Sequence, residues 1–415
     1  MHPFTLVFLF ALAIVIAARL WLAQRHIRHI AANRETVPAE FAGRISIAAH
    51  QKAADYTTAK TRLGTLETLV GAAVLLGFTL GGGLQVLSDA WDHAFASGGY
   101  TYGIALIVSV ALISGGIDLP FSLYRTFVIE ARFGFNKMSL PLFFMDLAKQ
   151  AALGALFGIP LMFCVLWLMV RMGGAWWLYV WLTWVAFNLL VVTIYPTLIA
   201  PLFNKFTPIE DVNLKGRIES LLARCGFRVQ GLFVMDSSRR SSHGNAYFTG
   251  FGAAKRIVLF DTLISRLQPP EIEAVLAHEL GHFSRHHVWK RMALLFCTTL
   301  AFLWLLGWLI GQDWFYGALG VRSQSTAMAL VLFFMVVPVL SFLMQPLACL
   351  YSRRHEFEAD AYAARHADSG SLVQALVKLY QDNASTLTPD PLHSAFFDSH
   401  PPAVLRVARL QARRH

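Results

Sequence analysis

The 415-residue chain is 56% hydrophobic and 13% aromatic, carries 14% charged residues, and has a formal net charge of +10. Soluble domains average about 25% charged residues, so this composition excludes an ordinary soluble globule and points to a polytopic membrane protein with a smaller polar part. The four cysteines, Cys164, Cys225, Cys297 and Cys349, have no C-x-x-C spacing and argue against a disulfide framework or a cysteine-ligated metal.

A helix crosses the hydrocarbon core in about 20 apolar residues. Seven stretches qualify, at 3–23, 64–87, 101–117, 151–171, 176–198, 292–311 and 326–350. The first has no basic start and stays apolar past Arg19, so it reads as a retained anchor rather than a signal peptide. Lys and Arg alternate across the connections: seven in 24–63, none in 88–100, four in 118–150, none in 172–175, thirteen in 201–291, one in 312–325 and eight in 351–415. By the positive-inside rule the basic connections face the cytoplasm and the amino terminus lies outside. Topology thus explains the positive charge without a nucleic-acid partner. The expected division is a five-span membrane part (1–200), a first polar block (201–291), two further spans (292–350) and a second polar block (351–415). The two polar blocks must fold together to make one site.

Between 269 and 290 the chain reads as a helix, opened by Pro269 and Pro270. Glu271 and Glu273 suit its first turn, and Arg285 and Lys290 its last. It contains His278-Glu279-Leu280-Gly281-His282. Residues i and i+4 share a helix face, so the two imidazoles can meet one Zn²⁺, and Glu279 beside them can take a proton from a metal-activated water. The competing reading is an amphipathic surface helix with incidental histidines. Along a continuous helix His286 would lie about 12 Å from His278, too far to share the ion. Arg285 stands where the longer histidine motif has glycine, so a third ligand is expected from another helix. Glu356 is the best candidate, with Asp360 at i+4 placed to accept a hydrogen bond from a ligand imidazole. Glu358 points elsewhere and is expected to be a surface charge.

These residues resemble the type I CAAX prenyl endopeptidases, integral-membrane zinc metalloproteases of the gluzincin type. The resemblance extends to Asp118-Leu119-Pro120-Phe121, Tyr124–Glu130, Phe133–Lys137, Tyr195-Pro196, Ile199–Phe206, His243–Tyr247, Lys255–Thr262 and Ser399-His400-Pro401-Pro402. It implies a mainly α fold of about seven transmembrane helices enclosing a chamber, with a cytoplasm-facing α+β zincin domain. It implies one Zn²⁺ on His278, His282 and Glu356, with Glu279 as general base and acid. It also implies a substrate-pairing edge strand at Asn245, Ala246 and Tyr247, an oxyanion contact from His400, and a site-facing Arg406. For Arg406 the alternative is a surface or lipid-headgroup contact. Gly244 departs from the resemblance, which implies a serine there.

An intramembrane-cleaving protease is disfavoured because the motif helix is too polar to face lipid. A non-enzymatic membrane scaffold would need neither Glu279 nor Glu356, and a transporter would show a paired repeat, which is not seen. The expected partners are the bilayer and a peptide or protein substrate, and the resemblance implies one prenylated at a C-terminal C-a-a-X. If the source is prokaryotic, the inner membrane is the expected location and general membrane-protein quality control the alternative role.

Overall fold

The computed structural model describes residues 1–96, 98–249 and 255–412. Helices α1 (Pro3–Ala32) and α2 (Ile47–Phe78) form an antiparallel pair; the Ser46 hydroxyl caps α2 by accepting the Ala49 N–H. The expected span 64–87 is not one helix. It ends at Phe78, Gly82 takes φ 80°, and α3 (Gly83–Asp92) begins anew. Hydropathy runs through the Gly81-Gly82-Gly83 break, but backbone conformation does not.

Next come α4 (Tyr100–Tyr124), α5 (Leu140–Arg171), α6 (Trp176–Ile194) and α7 (Ala200–Phe203). Helix α4 runs on through a π-helical segment at Arg125–Glu130, and α6 through another at Tyr195–Ile199. Pro196 lacks the N–H that a regular α-helix would use there. Both segments fall in motifs carrying the family resemblance, and single π turns recur at functional positions.

The polar half opens with β1 (Phe206–Pro208), α8 (Val212–Arg224), β2 (Gly231–Met235), β3 (Ala246–Thr249), β4 (Arg256–Phe260), α9 (Asp261–Ile264) and α10 (Pro269–Ser284). The strand order is β1-β2-β4-β3; β2 and β4 are parallel and the outer pairings antiparallel. The chain then returns to the apolar layer with α11 (His287–Leu309), α12 (Asp313–Gly317) and α13 (Thr326–Ser341). It ends with α14 (Gln345–His366), α15 (Ser369–Asp382), α16 (Pro391–Phe397) and α17 (Ala403–Gln411).

Among the described residues, seven helical segments are long and apolar enough to cross a membrane. The first five have 30 to 32 residues, about 45 Å at 1.5 Å per residue. That exceeds a hydrocarbon core of about 30 Å, so their ends project into the polar half. In six segments no more than 22% of the apolar window is buried within the protein, against 56% in the segment holding α13. Helix α13 is therefore the central span. Cavities of about 550 and 910 Å³ open among the surrounding helices α4, α5, α6, α11 and α13 and the start of α7.

One apolar core unites both polar blocks. It joins Leu214, Ile218 and Leu221 of α8, Ile257 and Leu259 of β4, and Ile272, Leu276 and Leu280 of α10 to Leu372 and Leu376 of α15 and Val407 of α17. The expected boundaries at 291 and 350 fall inside α11 and α14, because a span and the polar element it feeds are single rods.

Candidate active site

Helix α10 is built to be placed accurately. Gln268 accepts the Glu271 backbone N–H, and Glu271 Oε2 accepts the Gln268 N–H at 2.7 Å, a reciprocal cap. Glu271 lies in the first turn, as expected. It is buried, and Lys378 Nζ of α15 lies 2.7 Å from its carboxylate. The helix also stops earlier than expected: Arg285 caps it, His286 takes the left-handed φ of 56°, and α11 starts at His287. Exposed His286 sits at a corner, not on a continuous helix.

Helix α14 packs along α10 and brings Glu356 to the two histidines. Candidate ligand atoms of His278, His282 and Glu356 all lie within 4.8 Å of one another. His278 Nε2 and His282 Nε2 are 3.2 Å apart, and they stand 3.5 and 3.4 Å from the Glu356 oxygens. Ligand atoms about 2.0–2.1 Å from a tetrahedral ion are about 3.3 Å apart, so this donor set fits a metal of that size and preference.

The residues around the cluster are equally specific. His278 Nδ1 is 2.9 Å from Asp360 Oδ1. Arg406 of α17 is buried, not at the surface or on lipid. It donates to both Asp360 oxygens at 2.9 and 2.6 Å, and its Nη2 lies 3.5 Å from His278 Nδ1. His282 Nδ1 is 3.0 Å from His287 Nδ1, and His287 Nε2 is 3.1 Å from Glu358 Oε2. Glu358 is thus a partner of this buried chain as well as a surface charge. His355 stacks on His287 with ring centres 4.0 Å apart. His400 is largely exposed and sets its Nδ1 2.8 Å from Glu356 Oε2.

Burial alone would lower the His278 pKa, but hydrogen bonding with Asp360 and Glu356 overrides it and lifts the pKa to about 9. His282 is held down at about 3 by burial and then by its neighbour His278. Burial raises the Glu279 carboxyl, with His278 opposing.

A cavity of about 620 Å³ is lined by His278, Glu279, Glu356, His400, Asn245 and Ala246, among others. Strand β3 forms one edge of the sheet. Phe260 N donates to Asn245 O at 3.0 Å, so Tyr247 and Thr249 continue the pairing with β4. By antiparallel alternation the backbone groups of Ala246 and Phe248 turn toward the outer edge. The Ala246 N–H is engaged by Asn245 Oδ1 at 2.8 Å.

Reading the sequence missed several residues that shape this cavity. His243 Nδ1 is 3.1 Å from Asn383 Oδ1, and the Gly244 N–H donates to the same oxygen at 3.2 Å. His243 stacks on Phe135 and lies 3.4 Å from Glu130, whose other oxygen accepts from the Tyr56 hydroxyl. The two matched segments Phe133–Lys137 and His243–Tyr247 were legible, but their mutual contact was not. His287 had no distinguishing mark within Arg285-His286-His287.

A bundle of membrane-crossing helices that carries a two-histidine, one-glutamate cluster, with a buried glutamate and an edge strand in one cavity, defines an integral multi-pass membrane metalloprotease. The pattern "CAAX prenyl protease N-terminal, five membrane helices" matches residues 26–205, and "Peptidase family M48" matches 208–414. A CAAX prenyl protease 1 homolog of Arabidopsis thaliana is 40% identical, covering 73% of this chain and 72% of the relative. CAAX prenyl protease 1 of Saccharomyces cerevisiae is 37% identical over 71% of this chain and 68% of its own, and the Mus musculus homolog 31% over 94% and 92%. The crystal structure of Ste24p from S. mikatae superposes with a TM-score of 0.92 at 30% identity, covering 99% of both chains. The chain belongs to the M48 peptidases, in the CAAX prenyl protease 1 (Ste24) family, and is a metalloendopeptidase.

Proposed function

We propose that the metal is a single Zn²⁺ held by His278, His282 and Glu356, and that the substrate is a peptide laid along β3. The observation that carries this reading is the convergence of three ligand atoms at tetrahedral spacing beside Glu279 in the cavity that β3 borders. Zinc, when bound, polarises a carbonyl and lowers the pKa of its water toward ~7.

Glu279 takes the proton of the attacking water and returns it to the leaving amine. Its burial favours the protonated form, which suits a group that must both accept and release a proton. Asp360 fixes the His278 ring through Nδ1, leaving Nε2 for the metal. His400, at the mouth of the same cavity, turns from Glu356 to the oxyanion that develops on the scissile carbonyl. Ala246, whose backbone faces the outer edge, aligns the substrate backbone, and Asn245 and Tyr247 hold it in register through their pairing with β4. Arg406 acts on substrate only indirectly, through Asp360 and His278.

The catalytic unit is residues 201–291 and 351–415 together, and the substrate class is a protein prenylated at a C-terminal C-a-a-X. In a prokaryotic source the same chemistry serves quality control in the inner membrane. Lysine and arginine counts favour a catalytic half facing the cytoplasm and an outside amino terminus.

The test is cleavage of a farnesylated C-a-a-X peptide beside its unprenylated twin, by wild type and Glu279→Ala, with and without chelator. Cleavage by metal-loaded wild type alone, with the prenylated peptide preferred, supports both chemistry and substrate. Equal cleavage of both peptides supports the broader role. Turnover by Glu279→Ala removes Glu279 from the mechanism.

A further inference from the structure

Away from the metal cluster, the polar half has a second cavity, of about 960 Å³. Its lining includes Arg353, Arg354 and Arg365 of α14, Arg409 of α17 and Arg285 at the end of α10. Among the described lining residues the one carboxylate is Glu358. That carboxylate is already engaged, by His287 on one oxygen and by Arg354 on the other at 3.2 Å. The cavity is therefore strongly cationic.

It is also placed at a boundary. At and just before the start of α14 the exposed apolar side chains Met344, Leu347 and Leu350 lead up to it, and Leu350 lines it. The next turn carries Arg353 and Arg354. On α1, Trp21 is exposed, and Arg25, Arg28 and His29 follow, with His29 again in the lining. Both helices thus pass from apolar to basic where the cavity lies. Exposed arginine is disfavoured in hydrocarbon, and aromatic and basic residues mark its edge. Apolar walls from Phe357 and the exposed Leu405 stand beside the arginines, and the Arg409 guanidinium lies 4.5 Å over the Phe357 ring.

We propose that this cavity binds the phosphodiester headgroup of an anionic membrane phospholipid, with the acyl chains running along Leu350 and Leu347. Inorganic phosphate shares the charge but not the apolar wall, which continues directly into the lipid-facing stripe. The placement has a consequence for the enzyme. Helix α14 turns Phe357 and Ala361 to this cavity and Glu356 to the metal cluster, and α17 offers Arg409 here and Arg406 there. A bound headgroup clamps α14 to α17 behind the site.

The experiment titrates full-length, metal-loaded, delipidated protein in detergent with phosphatidylglycerol, phosphatidylcholine or inorganic phosphate. Native mass spectrometry counts retained lipid, and thermal unfolding reads stabilisation. Each basic group near a lipid phosphate contributes about fivefold in binding. Wild type should retain phosphatidylglycerol over phosphatidylcholine by about tenfold or more. Arg365→Gln/Arg409→Gln should lose about twentyfold in phosphatidylglycerol affinity with metal content unchanged, while Arg365→Lys/Arg409→Lys keeps most of it. If the double Gln variant does not hold metal, Arg365→Gln alone, an exposed position, should still lose about fivefold. An unchanged lipid preference in the Gln variants overturns the proposal. So does stabilisation by inorganic phosphate equal to that by phosphatidylglycerol, which would make this a simple anion site.

Discussion

Gly281 lies so close to Ala359 that a methyl group built on it would come within 2.9 Å of Ala359 Cα and 3.0 Å of Ala359 O. The contact lies between the two candidate histidines on α10 and three residues past Glu356 on α14. It sets how near the two helices approach, and so whether Glu356 reaches the imidazoles. The obstructing atoms are backbone, which cannot rotate away. Gly281→Ala should cost about 1–3 kcal/mol of stability from overpacking and lower metal affinity as the helices part. Unfolding midpoint and bound metal per chain are the measurements. A variant with full metal content would show that α14 has slack that the packing denies.

Arg406 and Asp360 form a buried pair behind His278. Removing one partner leaves the other charged and buried, which costs about 3–5 kcal/mol. Arg406→Leu should therefore destabilise by that amount and reduce metal retention, because Asp360 loses the contact that aims it at His278. An Arg406→Leu protein that unfolds like wild type would return Arg406 to a direct role in substrate binding.

His287 sits between His282 and Glu358. Were His282 Nε2 to hold the metal, its Nδ1–H would donate to His287 Nδ1, and His287 Nε2–H would donate to Glu358. The chain fixes ring orientation and tautomer together. His287→Phe keeps the ring volume but removes both nitrogens, and metal affinity should fall 10–100-fold, the usual effect of losing such a support. Competition with a chelator of known affinity measures it directly.

Metal uptake should release protons. Without metal His278 keeps its proton up to about pH 9, whereas His282, near 3, is already neutral. A metal needs the neutral imidazole. At pH 7 binding should thus displace about one proton, from His278. Apparent affinity should rise about tenfold per pH unit up to about pH 9 and then level off. Titration calorimetry in buffers of different ionisation enthalpy reads the proton count; no buffer dependence at pH 7 contradicts it.

The outer edge of β3 gives a prediction made on the substrate rather than the enzyme. If Ala246 and Phe248 present their backbone groups to an extended peptide, alternate amides of that peptide carry the pairing. N-methylation of those amides should raise KM several-fold, and methylation of the intervening ones should not. Equal effects at every position would argue against strand pairing.

Much of the site could be read from local pattern. The i, i+4 spacing of His278 and His282, the glutamate between them and the Glu356/Asp360 pair are all properties of single helices. Seven spans were legible because each is a long apolar run. The glycine break at 81–83 was blurred because hydropathy averages over it. The helix end at Arg285 was missed because His286, a residue that tolerates positive φ less readily than glycine, makes the corner.

The sequence by itself therefore determined the membrane class, the metal motif and the family, since these depend on composition and on spacings within one helix. Only the tertiary structure decided what crosses from one element to another: the Gly281–Ala359 contact, the burial of Arg406 on Asp360, the His282–His287–Glu358 chain, and the arginine cavity assembled from α10, α14 and α17. The reason is geometric. These partners lie up to 128 residues apart, as Arg406 does from His278, and no helical or strand period relates them. They meet because the apolar faces of α10, α14, α15 and α17 share one core, and hydrophobic burial, not local pattern, sets that packing.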